Sequence, residues 1–514
     1  MNVLLITADQ FRADSMSCAG HKLVRTPNLD RLAEDGVRFA QHYSQCPPCG
    51  PARTSLLTGM YQMNHRSVRN GTPLDGAFTN LAEMARTVRY TPWLIGYTDI
   101  TLDPRRFHPN DPRVATYEQV LPGLQQFAPG SDECSTDPAW LAQLRELGYD
   151  HWDQPFRQKP EYAPTIHTKG PTYAPSIVKA EHGLTAFVAD HALRFFRQYA
   201  GAPWFLHVSF QRPHPPFVAH EPYHDMYRLE DVPDFHALPN LEDERAIHPF
   251  MPFRLERLEM NPRLPLDISH PNDSRAWRQA RATYYGLISE LDHQIGRMVA
   301  ALKDLGAYDD TLIIFTSDHG EMLGDHWCWG KETPFDGAVR VPCIVRSPLA
   351  TKDARGRVIE QFSEHVDVMP TVLDHIGTEV PLQCDGRSLR PFLEGGTPST
   401  WRDAAHWELD FRSVNDESVE GRFGISLDEC CLSVVRTGTE KYVHFAGLPP
   451  LYYDLAADPA ELHNLAGDPS HAAAERDMAR RMLDWRMAFN RRELTGIQVQ
   501  KGTQTHAARS RRIV

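Results

Sequence analysis

Apolar runs that each end in a polar, chemically capable residue constrain the fold of this chain more than any other feature. The first run, VLLITAD, ends at Asp9, and a second, TLIIFTSDHGE, leads into Asp318 and His319. An uninterrupted apolar run of this length is typical of a strand buried on both faces, as in a parallel sheet between helices. The same description fits three more runs, residues 92–99, 203–217 and 341–348. The pattern predicts an α/β fold with a largely parallel central sheet flanked by helices.

Helical patterns lie between these runs, and the pattern changes after about residue 400. Residues 27–36 begin with Pro and end with Gly, and residues 281–305 carry an apolar side chain every three or four positions. The later part predicts four short strands, a helix over 472–491 and a coil. We therefore expect a large α/β domain over residues 1–400, a small C-terminal α+β domain with an antiparallel sheet over 401–492, and a tail, a candidate oligomer arm, over 493–514.

Composition excludes some classes of protein. The 514-residue chain carries a formal charge of −13, which argues against a nucleic-acid-binding surface. No segment approaches the roughly 20 consecutive apolar residues that a membrane-spanning helix needs. The amino terminus lacks the basic region of an export signal, so a cytoplasmic location is expected. The nine cysteines have no framework spacing and are expected to be reduced thiols.

Polar residues are predicted to meet at one edge of the sheet. Asp9, Asp318 and His319 follow two strands, and His214 follows a third. Ligands of open parallel sheets bind in the crevice outside the carboxyl ends of the strands. These four residues are therefore candidates for one site.

The stretch YSQCPPCGPARTSLLTG, residues 43–59, allows three interpretations. Cys46 and Cys49 could form a redox pair, although the neighbours do not suggest a thioredoxin-like context. They could belong to a zinc clip, which would need a second ligand pair at suitable spacing. In the third interpretation Cys49 supplies the nucleophile. Pro51 then lies in the first turn of a helix that runs through Leu57 and stops at Gly59, and Cys49 lies at the amino-terminal end of this helix, which favours anions. Arg53, one turn on, adds charge or braces the Cys49 side chain.

The third interpretation gains support from a family resemblance. Cys49-x-Pro51-x-Arg53 followed by TSLLTG resembles the signature of the sulfatase family, in which the Cys is oxidised to formylglycine. TPNLDRLAEDGVRF, SDHGEMLGDH and LYYDLAADPAELHNLA resemble further segments of the family, so that the similarity spans roughly residues 1–470. The resemblance implies an alkaline-phosphatase-like fold.

Within the family, the chain looks like the phosphonate monoester hydrolase and phosphodiesterase branch. Sulfatases commonly carry a Gly-Lys-Trp-His segment, whereas this chain has LIGYTDI, with Tyr97 in place of the Lys. Asn70 and His214 also fit the branch, but Asp99 departs from its Thr-rich run. Loss of the Lys charge suits a singly charged phosphonate monoester or phosphodiester. We expect activity on these and on sulfate esters; the alternatives are an aryl or alkyl sulfatase and, outside the class, a thiol redox protein that uses Cys46 and Cys49.

The resemblance also implies roles for individual residues. One divalent metal ion, Mn²⁺ before Ca²⁺ or Zn²⁺, is expected to bind Asp9, Gln10, Asp318, His319 and residue 49. Lys331 is expected to contact substrate and leaving group, and His214 to protonate the leaving oxygen or bind another oxygen. Asn70 and Tyr97 are expected to bind the substrate. His65 could have either a functional or a structural role. Asp325 and His326 are expected to have a packing role in their own loop rather than to bind the metal.

The chemistry implied by the resemblance predicts a broad substrate range. The aldehyde at residue 49 hydrates, the metal lowers the pKa of one hydroxyl, and that oxygen attacks phosphorus. Release of the product then breaks a C–O bond, which depends little on whether the centre is phosphorus or sulfur. Maturation requires a formylglycine-generating enzyme, and the branch suggests a homotetramer.

Overall fold

A computed structural model describes most of the chain, namely residues 1–130, 138–149, 172, 174–259, 275–413, 418–491, 493–495, 497–500 and 503–506. Its strands are β1 (Asn2–Asp9), β2 (Val37–Phe39), β3 (His42–Tyr43), β4 (Pro92–Ile95), β5 (Gln125–Ala128), β6 (Phe205–Pro213), β7 (Thr311–Ser317), β8 (Cys343–Arg346), β9 (Arg357–Ile359), β10 (Ser363–Glu364), β11 (Ala404–Asp410), β12 (Cys431–Thr437), β13 (Glu440–Phe445), β14 (Leu451–Asp454), β15 (Ile497–Gln500) and β16 (Thr503–His506).

Its helices alternate with the strands of the first 400 residues. They are α1 (Pro27–Asp35), α2 (Cys49–Thr58), α3 (Gln62–His65), α4 (Leu81–Thr87), α5 (Pro138–Glu146), α6 (Leu184–Gln198), α7 (Leu241–Ala246), α8 (Phe250–Glu259), α9 (Arg275–Asp304), α10 (Asp336–Val339), α11 (Val368–Ile376), α12 (Arg390–Leu393), α13 (Ser418–Phe423) and α14 (Ala472–Phe489). No helix in the described ranges is long and apolar enough to cross a bilayer.

An eight-stranded sheet forms the centre, in the order β5-β4-β6-β1-β7-β8-β2-β9. The five strands from β5 to β7 are parallel to one another, as predicted. The run at 341–348 gives β8, which is antiparallel to β7. Between β7 and β8 the chain forms loops and the short helix α10 rather than the crossover helix that a parallel connection requires.

The apolar runs are continuous because the sheet is covered on both faces. Side chains alternate between the faces of a strand, so neighbouring residues of β1 enter different cores. Ile6 packs in the core that contains Leu291 of α9, and Leu5 packs in the core that contains Leu56 of α2. Helix α9 begins earlier than predicted, since Trp277 extends its buried stripe.

The C-terminal part forms the predicted antiparallel sheet, in the order β11-β12-β13-β14. Helix α14 covers it, with Met482 and Trp485 packed in one core with Val435. The prediction of coil beyond this helix is wrong in part, because β15 and β16 pair as an antiparallel hairpin. Alternating β-branched and polar residues, IQVQ and TQTH, form these short strands. The domain boundaries and the role of the tail stay predictions.

Candidate active site

The ends of two adjacent parallel strands bring the central acidic residues together. β1 and β7 pair in register up to Ala8 and Ser317, so that Asp9 and Asp318 leave the sheet side by side. Cys49, the first residue of α2, faces them. One ligand atom from each of Asp9, Cys49, Asp318 and His319 lies within 4.8 Å of the others, and all four residues are buried. The structure thus brings Asp9, Asp318 and His319 together beside Cys49.

The four side chains have the chemistry of a metal site. His319 Nε2 lies 3.2 Å from Cys49 Sγ, 3.6 Å from Asp318 Oδ1 and 3.7 Å from Asp9 Oδ1. His319 Nδ1 lies 3.0 Å from the carbonyl oxygen of Gly320, which fixes the ring with Nε2 toward the group. Burial lowers the pKa of His319 to about 4, so the imidazole is neutral and can act as a ligand. Two carboxylates and a neutral imidazole fit a divalent cation.

Helix α2 presents Cys49 to this group. The helix begins at Cys49 and ends at Gly59, whose φ of 70° closes the last turn. Burial and the nearby Asp9 carboxylate raise the pKa of the Cys49 thiol well above its usual value, although the Lys331 ammonium opposes the shift. Burial likewise raises the pKa of Cys46, whose Sγ lies 3.5 Å from Ser55 Oγ. Protonated, buried thiols are poor redox nucleophiles, which disfavours the dithiol interpretation.

Arg53 binds the carboxylates rather than Cys49. Its Nε donates to Asp318 Oδ2 at 2.9 Å, and its Nη2 lies 3.3 Å from Asp9 Oδ2. Its Nη1 donates to Ser209 Oγ at 2.7 Å, and its guanidinium lies over the ring of Tyr97, 4.3 Å from the centroid. The side chain is 1% exposed. Arg53 therefore offsets the repulsion between the two carboxylates and fixes their orientation, instead of bracing Cys49 as the sequence suggested.

Tyr97 takes part in the same network. Its hydroxyl donates to Asp9 Oδ2 at 2.5 Å and accepts from Arg53 Nη2 at 3.1 Å. Burial raises the pKa of this phenol well above its usual value, so that it remains a donor. Tyr97 and Arg53 thus bind the same oxygen of the Asp9 carboxylate.

Gln10 and Lys331 close another side of the group. Gln10 has a left-handed backbone, with φ of 68°, and its N–H donates to Asp318 Oδ1 at 3.0 Å. Lys331 Nζ donates to Gln10 Oε1 at 3.0 Å and lies 2.9 Å from Cys49 Sγ. Burial disfavours the charged form of Lys331, but the acidic neighbours, including Asp9 and Asp318, outweigh burial and raise its pKa, so the ammonium persists. A cation therefore lies directly beside residue 49.

Asn70 and His214 are two further residues that the sequence analysis assigns to the site. Asn70 Oδ1 accepts from the N–H of Gly50 at 2.9 Å, in the first turn of α2. His214 follows Pro213, which pairs with Asp9 across the sheet, and its Nδ1 lies 2.7 Å from the carbonyl oxygen of Pro215. Asn70 therefore contacts the first turn of α2, and His214 follows the strand that ends beside Asp9; the roles of both side chains stay predictions.

The family is decided by the match along the chain. Residues 1–378 match the family model described as Sulfatase. The chain belongs to the sulfatase family. Residues 324–488 match a second model, described as N-sulphoglucosamine sulphohydrolase, C-terminal. Together the two matches confirm the extent of the resemblance, and the chain is an enzyme of this class of hydrolases.

Two relatives align with nearly the whole sulfatase-family chain. The multifunctional alkaline phosphatase superfamily protein PehA of Trinickia caryophylli is 43% identical over 510 residues, which cover 96% of each chain. An arylsulfatase of Clostridium perfringens is 30% identical over 489 residues, which cover 90% of each chain.

Two solved structures share the fold. The phosphonate monoester hydrolase of Agrobacterium radiobacter has a TM-score of 0.91 and 43% identity, and covers 99% of this chain and 100% of that chain. The phosphonate monoester hydrolase SpPMH of Silicibacter pomeroyi has a TM-score of 0.90 and 38% identity, and covers 98% and 99%. The predicted fold class is confirmed.

Three residues considered from the sequence have structural contacts elsewhere. His65 lies behind α2, where its Nε2 is 2.9 Å from Ser55 Oγ. Asp325 binds the guanidinium of Arg281 at 2.9 Å, and His326 Nδ1 lies 2.8 Å from Glu244 Oε1. These contacts agree with loop packing for Asp325 and His326.

Glu321 and Ser209 are residues of the site region that sequence reasoning missed. Glu321 accepts from Gln10 Nε2 and from the N–H of Leu323, and so orients Gln10. Its position three residues after Asp318 was the available signal. Ser209 points from the middle of β6 to Arg53, and a serine inside an apolar run was the only hint of it.

Proposed function

We propose that this sulfatase-family enzyme hydrolyses phosphonate monoesters and phosphate diesters, with lower activity on sulfate esters. The observation that carries the proposal is the joint burial of Asp9, Cys49, Asp318 and His319 around one point, with the Lys331 ammonium beside residue 49. The similarity to two phosphonate monoester hydrolases, with TM-scores of 0.91 and 0.90, supports the substrate class.

One divalent ion and a formylglycine at position 49 complete the proposed site. Asp9, Gln10, Asp318 and His319 would hold the ion, with Mn²⁺ preferred and Ca²⁺ or Zn²⁺ as alternatives. The bound ion supplies Lewis-acid activation of a nucleophilic oxygen, and the hydrated formylglycine supplies that oxygen. The high pKa of the Cys49 thiol supports the need for this conversion, because little thiolate would exist at neutral pH.

The remaining residues orient the metal-binding carboxylates and counter the charge of the substrate. Arg53 and Tyr97 keep the two carboxylates oriented, and Lys331 binds a phosphoryl oxygen and counters its charge. His214 gives a proton to the leaving oxygen, and Asn70 borders the leaving-group side. The neutral Tyr97 phenol adds no positive charge to the pocket, which suits a substrate with a single negative charge.

An aryl or alkyl sulfatase activity is the second candidate. It is favoured by the 30% identity to the Clostridium perfringens arylsulfatase and by the second family match over residues 324–488. Sulfate monoesters are also singly charged, so charge alone does not separate the two.

Paired substrates test the proposal. The enzyme is produced with a formylglycine-generating enzyme, loaded with Mn²⁺, and assayed on p-nitrophenyl phenylphosphonate and p-nitrophenyl sulfate, which share a leaving group. We expect a higher kcat/KM on the phosphonate. A higher kcat/KM on the sulfate would contradict the proposal and support the second candidate.

Two cysteine variants provide the matched control. Cys49→Ala should abolish hydrolysis, whereas Cys46→Ala should retain it, since the Cys46 thiol contacts Ser55 behind the site. Mass spectrometry of the peptide that contains residue 49 should show the decrease in mass that accompanies conversion of CH₂SH to CHO. Full activity with an unmodified thiol at position 49 would refute the formylglycine part.

A further inference from the structure

Asp99 is a buried acid in the loop after β4 whose side chain has unsatisfied hydrogen-bonding capacity. It is 4% exposed, and its Oδ1 is buried without a hydrogen-bond partner. Buried polar atoms in folded proteins are nearly always paired, so each exception calls for an explanation. A carboxyl group that faces a substrate pocket has such an explanation, because its partner arrives with the substrate.

The loop around Asp99 is held in place on both sides. Thr98 Oγ1 donates to the carbonyl oxygen of Gln119 at 2.5 Å, and Thr101 Oγ1 donates to the carbonyl oxygen of Tyr117 at 2.7 Å. Asp99 itself has a left-handed backbone, with φ of 52°, which Asp tolerates better than most residues. The fixed neighbours therefore determine where the carboxyl group points.

The backbone of Asp99 lies against the first turn of α2, the helix that begins at residue 49. A Cβ placed on Gly50 would lie 2.8 Å from the carbonyl oxygen of Asp99, so the loop packs directly against the first turn of α2. The Asp99 carboxyl is also near enough to Lys331 and Arg53 for their charges to act on it. The groups whose charges act on Asp99, or on which Asp99 acts, come from several elements and are Arg53, Glu118, Asp9, Lys331 and Cys49.

The surroundings favour the neutral acid over the carboxylate. Burial is the largest influence and raises the pKa of Asp99 well above its usual value; Glu118 and Asp9 add to the shift, while Arg53 and Lys331 oppose it. A neutral carboxylic acid carries one O–H donor. The oxygens of a bound phosphoryl group are suitable acceptors at this place.

We propose that Asp99 is a specificity-determining residue whose carboxylic acid donates a hydrogen bond to a non-bridging oxygen of the substrate, and thereby favours phosphorus esters over sulfate esters. The inference rests on the proposed function. The selectivity has a chemical basis, because the oxygens of a phosphonate or phosphate ester are more basic than those of a sulfate ester and accept a stronger hydrogen bond.

Three variants of the Mn²⁺-loaded enzyme test the proposal on the same two p-nitrophenyl esters. Asp99→Ala removes the donor and should lower kcat/KM on the phosphonate roughly ten- to hundredfold, the range for a hydrogen bond to a charged group, with a much smaller loss on the sulfate. Asp99→Asn keeps an N–H donor and tolerates the left-handed backbone, so it should stay within about fivefold of the wild type for such a bond. Asp353→Asn, a change of an exposed acid outside the site, is the matched control and should leave both rates unchanged.

Several results would overturn the inference. Equal losses on both esters in Asp99→Ala would indicate a structural role, and a gain in Asp99→Asn on both would indicate a carboxylate that repels anions. Unchanged kinetics of Asp99→Ala on both esters would show that Asp99 has no role in the reaction. Melting temperatures of the variants identify a loss of activity that arises from misfolding. If Asp99→Ala is misfolded, the comparison of Asp99→Asn with the wild type tests the proposal.

A binding measurement separates this inference from the proposed function. Calorimetry with phenylphosphonate, the product of the phosphonate reaction, requires no turnover. If the wild type cleaves neither ester, the proposed function fails, and weaker phenylphosphonate binding by Asp99→Ala than by the wild type still supports the donor. Equal phenylphosphonate binding by the wild type and Asp99→Ala overturns the inference that Asp99 is a hydrogen-bond donor to the substrate.

Discussion

Two buried histidines should make the fold sensitive to mild acid. His65 and His207 are 2% and 1% exposed, and burial lowers the pKa of each to about 3. His207 Nε2 lies 2.9 Å from Thr7 Oγ1 in the centre of the sheet. A histidine whose pKa is lower in the folded than in the unfolded state stabilises the fold above the unfolded pKa. That stability is lost as the pH falls from about 6.5 toward about 3.

The magnitude follows from these pKa values. Between pH 7 and pH 5, the unfolded chain takes up most of one proton for each histidine, whereas the folded chain takes up almost none. The difference lowers the free energy of unfolding by about 1.9 kcal/mol for each histidine, or about 4 kcal/mol for the pair. This is a large part of the roughly 5–15 kcal/mol that typically stabilises a folded protein.

Urea unfolding at pH 7 and pH 5, followed by tryptophan fluorescence and circular dichroism, measures the effect. His207→Gln keeps a polar group near Thr7 but cannot titrate, so its loss of stability between the two pH values should be smaller than that of the wild type by about 2 kcal/mol. His108→Gln, a change of an exposed histidine, is the control and should match the wild type. If His207→Gln and the wild type lost the same stability, the reasoning about this buried imidazole would be refuted.

Three further outcomes are expected. Tyr97→Phe removes the hydroxyl that donates to Asp9 and should weaken Mn²⁺ binding about ten- to hundredfold by calorimetry, and an unchanged affinity would contradict that role. Removal of metal with a chelator should abolish hydrolysis, and added Mn²⁺ should restore more of it than Ca²⁺; full activity of the metal-free enzyme would exclude the proposed site. Asp292 accepts from the N–H groups of Asn28 and Leu29 at the start of α1, so Asp292→Ala should lower the free energy of unfolding by about 1–3 kcal/mol, and an unshifted urea midpoint would argue against this cap.

The sequence was informative where a local pattern determines the structure. The run before Asp9 predicted a doubly covered strand because both alternating faces of β1 are apolar, and Pro51 and Gly59 marked the helix that presents Cys49. The same reasoning placed Asp318 at the end of a neighbouring strand.

Contacts between distant parts of the chain were not predictable in this way. Arg53 and Asp318 are separated by 265 positions, and nothing near either residue in the sequence indicates their ion pair. The loop that contains Asp99 is likewise fixed by a distant segment, because Thr98 binds the carbonyl oxygen of Gln119. Nothing in the sequence indicates this contact. The antiparallel direction of β8 was hidden because a short apolar run has the same pattern in either direction.

The guanidinium of Arg53 has a consequence for protein engineering. A single side chain joins the ends of β1 and β7, through Asp9 and Asp318, to Ser209 on β6 and to Tyr97 after β4. Transplanting a loop into an unrelated scaffold would therefore not reproduce this centre, because residues from four neighbouring strands and the loops after them are joined through one arginine. Laboratory evolution of new substrate ranges should instead succeed in the surrounding loops, where exchange leaves that unit untouched.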